Sequence, residues 1–194
     1  MSSSLNLVVE DEIHFQILKK TVTTLTRFTI EHTYGFQGNG YIRKNLRSFN
    51  KQAQQGSIFL VLTDLDQKNC PPALRDEWVT FEQHPNLIFR IAVCEAEAWL
   101  LADRKNFASF IGISSAKITR SPETLTNPKA HIVQLAKKSR LKKIRKALVP
   151  RGTAHVGPEY NSTMSEFIIK HWDYEAAKVN APSLQKLIVD ISKL

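Results

Sequence analysis

Cysteine is scarce in this chain: two in 194 residues, Cys70 and Cys94. They follow different apolar runs and show no metal-ligand spacing, so reduced thiols are expected and a disulfide framework is not. Zinc-type histidine spacing is missing too, since His14, His32, His84, His131, His155 and His171 are scattered. Of these, only His155, in RGTAHVGPEY, lies in a loop that resembles a site. No apolar run approaches the roughly 18 residues needed to span a membrane. The opening MSSSLNLVVE lacks the basic and apolar regions of a signal peptide, so a cytoplasmic location is expected. There is no GxxxxGK[ST] phosphate loop, no internal repeat and, apart from residues 2–4, no low-complexity stretch.

What is present is an ordinary globular composition, 42% hydrophobic and 23% charged, with a net charge of +9. The charge is uneven. Residues 1–103 carry 10 Lys/Arg against 12 Asp/Glu, whereas residues 104–194 carry 17 against 6. An acidic region beside a strongly basic one suits a polyanionic substrate, although basic helices can also serve only to solvate a surface.

Three short apolar runs end in acids. LNLVVE ends at Glu10 and continues into Asp11 and Glu12; SIFLVLTDLD ends in Asp64 and Asp66; LIFRIAV is followed, one residue on, by Glu95 and Glu97. Each run is followed by a helical pattern, the rhythm of a parallel α/β sheet. In such sheets the chemistry sits at the carboxyl ends of the strands. Converging acids repel one another unless a cation lies between them, and oxygen ligands favour a hard ion such as Mg²⁺ or Mn²⁺.

The pattern places strands at 5–10, 28–32, 57–63 and 86–93, with helices over 12–27, 41–54 and 73–83. From residue 95 onward everything reads as helical: EAEAWLLAD, then 104–111, 128–139, 140–147, 159–178 and 182–193. Two domains are expected, an α/β core over 1–103 and a basic helical extension over 104–194 packed on it.

Asp64 and Asp66, two apart on an extended strand end, project from the same side and can reach one cation. Glu10 holds the same place on the first strand as a ligand or general base, while Asp11, directly before the helix, is the better helix cap. Glu95 and Glu97 point in different directions if a helix starts near Glu95, so one faces the site and the other steadies the helix end. Lys137, Lys138, Arg140, Lys142, Lys143, Arg145, Lys146 and Arg151 place eight positive charges in 15 residues. Together with Arg43 and Lys44 on the second helix they are the candidates for holding a phosphate backbone. Trp78, Trp99 and Trp172 fall on helices and read as core.

Two families share parts of this pattern. VVEDE resembles the start of a response-regulator receiver domain, but LDQKNCPP after Asp64 and the strand end VCEAEAW depart from its turn and from its later Thr/Ser and Lys. Glu10 followed by Asp64-Leu65-Asp66 resembles the Toprim signature of topoisomerases, bacterial primases and overcoming-lysogenization-defect nucleases. One departure is Asp11, where that family usually has glycine. VVEDE, LVLTDLD and FRIAVCEAEAWLLAD together are similar to small Toprim-like proteins of bacterial anti-phage defence loci. The resemblance implies a Toprim-like (Rossmann-like) sheet of about four parallel strands flanked by helices. It implies a Mg²⁺-dependent nuclease acting on DNA or RNA, tRNA included, with Glu10, Asp64 and Asp66 at the metal and Glu95 or Glu97 beside them. It also implies an ATPase partner; a regulatory subunit that binds nucleic acid or a partner without catalysis is the alternative reading.

Overall fold

The four expected strands become β1 (Ser4–Val9), β2 (Thr29–Gly35), β3 (Phe59–Asp64) and β4 (Leu87–Ala92) in a computed structural model that describes residues 3–68 and 70–194. They form one parallel sheet in the order β2-β1-β3-β4. Parallel neighbours need crossover connections. These are α1 (Glu12–Leu25), α2 (Asn39–Gln54) and α3 (Pro71–Trp78). The architecture is α/β and Rossmann-like, with helices flanking a four-stranded parallel sheet.

Burial explains why β1, β3 and β4 read as apolar runs. Val8, Phe59, Val61, Leu87, Phe89 and Ile91 pack with Ile42, Leu46 and Phe49 of α2 and with Leu74 and Trp78 of α3. The alternating residues Leu7, Val9, Leu60 and Leu62 are fully buried as well. They belong to the opposite face of β1 and β3, the strands on which α1 packs with Ile13, Ile17, Leu18 and Val22. The chain leaves β1 for β2 on one side, then returns to place β3 on the other. The order therefore reverses between β1 and β3, the position where open α/β sheets leave a crevice outside their strand ends.

Several elements differ from the sequence reading. β2 runs to Gly35, and α2 starts two residues earlier, at Asn39. α3 ends at Trp78, not at 83. The single helix over 159–178 is two, α8 (Tyr160–Lys170) and α9 (Tyr174–Lys178), because Asp173 accepts bonds from Glu175 N (2.9 Å) and Ala176 N (3.4 Å) and starts a new helix.

The chain divides into two compact units, one reaching to Val93 together with Lys186–Leu194, the other Cys94–Gln185. The boundary thus falls ten residues before position 103, and the last nine residues belong with the first unit. There Arg90 of β4 forms an ion pair with Asp190 through both Nε and Nη2. The second unit is helical: α4 (Glu97–Ala102), α5 (Arg104–Ile111), two 3-10 turns, α6 (Pro128–Lys137), α7 (Lys142–Leu148), α8, α9 and the start of α10 (Pro182–Ile191). Trp99, fully buried on α4, donates from Nε1 to Ser183 Oγ at 2.8 Å and Glu123 Oε1 at 3.2 Å; Trp172 Nε1 donates to the Trp99 carbonyl at 3.1 Å. All three tryptophans are core residues, as read from the sequence. Among the described residues no helix is long and apolar enough to cross a membrane.

Candidate functional site

Glu10 directly follows β1 and Asp64 closes β3, so the two acids meet where the strand order reverses. They are bonded, not merely near: Glu10 Oε1 accepts from the Asp64 backbone N–H at 2.8 Å and from the Thr63 hydroxyl. Burial raises the Glu10 carboxyl above its ordinary value; the charge of His14 opposes that rise and the charge of Asp64 adds to it.

A histidine lies among the clustered acids. His14, on the apolar face of α1, is 1% exposed. Its Nδ1 lies 2.8 Å from Asp11 Oδ1 and its Nε2 lies 3.0 Å from Asp64 Oδ1. Each ring nitrogen thus faces a carboxylate oxygen, an arrangement that favours the protonated ring. Burial alone would push its proton affinity down, but the charges and hydrogen bonds of Asp64 and Asp11 outweigh it and hold His14 well above the ordinary histidine range. Asp11 also caps α1 as read from the sequence, its Oδ1 accepting from Ile13 N (2.9 Å) and His14 N (3.1 Å). The sequence reading passed over His14. The available signal was an Asp at the helix cap with a His three residues on.

The expected geometry of Asp64 and Asp66 does not form. β3 stops at Asp64, and Asp66 turns into the left-handed region with φ 51°. Side chains two apart are therefore no longer on one side of a strand. Asp64 faces His14, and Asp66 Oδ2 accepts from Asn39 Nδ2 at 2.9 Å. Left-handed non-glycine residues are uncommon and mark strain. The three among the described residues, Phe36, Asp66 and Cys94, each follow a strand, β2, β3 and β4 respectively. Backbone strain thus concentrates just past the carboxyl ends of the strands. Gly35, at φ 114°, lets β2 close against β1; a Cβ there would stand 1.8 Å from the Val9 carbonyl oxygen, one residue before Glu10.

Glu95 and Glu97 belong to the second unit and have partners there. α4 starts at Glu97, and the Glu97 side chain is buried, with Lys129 Nζ at 3.3 Å and the Tyr160 hydroxyl donating at 3.4 Å. Glu95 Oε2 accepts from the Lys129 backbone N–H at 2.7 Å, in the first turn of α6. The basic run is exposed, as a solvated or polyanion-binding face must be: Lys137, Lys138, Arg140, Lys142, Lys143, Arg145, Lys146 and Arg151 form no ion pair among the described residues. Lys44 is exposed on α2, and Arg43 pairs with Glu77 at 3.1 Å. No disulfide joins Cys70 and Cys94, and His155 is exposed.

Glu10, Asp64 and Asp66 offer hard oxygen donors. Among the described residues no three His, Cys, Asp or Glu side chains stand together as a ready ligand set. That excludes a closed protein cage but not Mg²⁺, which is commonly held by one or two carboxylates, with water and substrate phosphate completing its shell. Glu10 and Asp64, at the edge between β1 and β3, are two carboxylates joined through the Asp64 backbone N–H.

The family described as "Domain of unknown function (DUF4276)" matches residues 8–192, and the chain belongs to it. No curated protein and no solved structure matches the chain.

Proposed function

We propose that this DUF4276 protein is a metal-dependent phosphodiesterase acting on nucleic acid, a nuclease with a Toprim-like acidic centre at Glu10, Asp64 and Asp66. The observation that carries the reading is the junction of Glu10 and Asp64 at the point where the strand order of a parallel sheet reverses. Bound there, Mg²⁺ or Mn²⁺ would polarise the phosphate and lower the pKa of an attacking water. Glu10 is held in place by Thr63 and the Asp64 N–H through Oε1, which leaves Oε2 to meet a ligand or take a proton. His14 fixes the orientation of Asp64 and offsets part of the acidic charge before any substrate arrives. The exposed basic residues of α6 and α7 supply the phosphate-backbone contacts. The reading is of a cytoplasmic protein, and the resemblance to defence-locus proteins implies an anti-phage effector working beside an ATPase.

Asp64→Asn with Asp66→Ala is expected to abolish Mg²⁺- or Mn²⁺-dependent cleavage of labelled DNA and RNA while leaving circular dichroism unchanged. Retained cleavage in that double variant removes the proposal.

One observation favours a second reading, a non-catalytic subunit that binds nucleic acid or a partner: His14 already stands between Asp11 and Asp64, bonded to both. Calorimetry separates the two. Heat from Mg²⁺ or Mn²⁺ binding at millimolar concentration supports the enzyme, and its absence supports the binding subunit.

A further inference from the structure

Beside the acidic edge the first unit holds a cleft of about 630 Å³, inside the roughly 300–1,000 Å³ range of clefts that take small organic ligands. Asp64 and Asp66 line it, Leu65, Leu74 and Trp78 give it an apolar floor, and Arg43 and Lys68 bring two cations to it. Both cations are held by one carboxylate. Arg43 Nη2 lies 3.1 Å from Glu77 Oε1, and Lys68 Nζ lies 2.7 Å from Glu77 Oε2. They come from different elements, α2 and the loop before α3, so Glu77 on α3 sets their spacing.

Exposed ion pairs of this kind contribute little, about 0–1 kcal/mol. A phosphate offers more acceptor oxygens than a carboxylate and a matching fork for guanidinium. It can therefore displace Glu77 at small cost and meet two cations already in position. The apolar floor, in turn, suits the sugar and base that accompany a phosphate. A duplex keeps its bases stacked inside and would leave the recess empty, whereas a single strand can lay one nucleotide into it.

We infer that this cleft is the substrate-strand subsite: it takes one unpaired nucleotide of a single-stranded nucleic acid, with Arg43 and Lys68 clamping its phosphate and Glu77 holding the clamp open in the free protein. This rests on the phosphodiesterase reading for its biological sense but not for its test, because binding is measured without metal or cleavage.

The probes are short fluorescein-labelled oligothymidylate and oligouridylate, and a duplex of the same length, titrated in EDTA and followed by anisotropy. The intact protein is expected to bind at least one single-stranded probe more tightly than the duplex. Arg43→Ala with Lys68→Ala should weaken that binding at least tenfold and lower the slope of log K against log salt by about 0.7, the contribution of one single-strand phosphate contact. Glu77→Gln, which frees both cations, should tighten it. The clamp is overturned if neither single strand binds, if the duplex binds as tightly, if the double variant binds like the parent protein, or if Glu77→Gln weakens binding. Loss of binding in the double variant of a protein that cuts nothing would leave the clamp standing and remove the nuclease. Divalent-dependent cleavage with unchanged binding in that variant would do the reverse.

Discussion

At the scale of single residues, His14 is where charge and burial are most tightly linked. It sits on the apolar face of α1 only because carboxylates meet both ring nitrogens. Removing one partner of a buried charge pair leaves the other charge unpaired in a low-dielectric setting, at a cost of about 3–5 kcal/mol. His14→Phe, which keeps a ring but removes the charge, is expected to lower unfolding free energy in urea by that amount. A loss below about 1 kcal/mol would show that Asp11 and Asp64 need no counter-charge. Asp11 was legible as a helix cap because capping is local: the side chain bonds backbone two and three residues on. His14 was not, because the partner that decides its state, Asp64, lies 50 positions away in sequence.

At the scale of elements, the end of β2 decides where the site can form. Gly35 places β2 so closely on β1 that Phe36 N donates to the Val9 carbonyl at 3.1 Å and Gly38 N to the Glu10 carbonyl at 3.2 Å. Gly35→Ala would need both a left-handed backbone and a Cβ inside a carbonyl contact. The expected result is a loss of about 2 kcal/mol or more in stability together with reduced cleavage, read by thermal melting and by the nuclease assay. A variant that melts like the parent protein would show that β2 can shift without cost. The apolar strand runs and the caps at Asp11 and Asp173 follow from local pattern. The length of β2 and the left-handed turn at Asp66 do not, because pairing with a neighbouring strand and closure of a turn override local preference.

At the scale of the whole molecule, charge is divided along with the chain. Cys94–Gln185 holds 15 Lys/Arg against 8 Asp/Glu, while the other unit is nearly balanced at 12 against 10. Lys142→Ala, Lys143→Ala and Lys146→Ala together are expected to weaken nucleic-acid binding and to reduce the salt slope by about 2 for single strands, without affecting the fold. An unchanged slope would assign this face to solvation alone.

The sequence by itself determined that a parallel α/β sheet forms, that acids gather at its carboxyl edge and that the positive surplus lies outside it, because these follow from hydrophobic period and residue order. Only the tertiary structure decided which acids meet. Glu10 and Asp64 join because β1 and β3 are neighbours; Asp66 lines the adjoining cleft and accepts from Asn39; Glu95 and Glu97 are engaged by Lys129 and Tyr160. Between Asp11 and Asp64 the structure places His14, a histidine from the first helix. Electrostatics requires an opposite charge between converging carboxylates, but strand pairing and helix packing choose the atom that carries it.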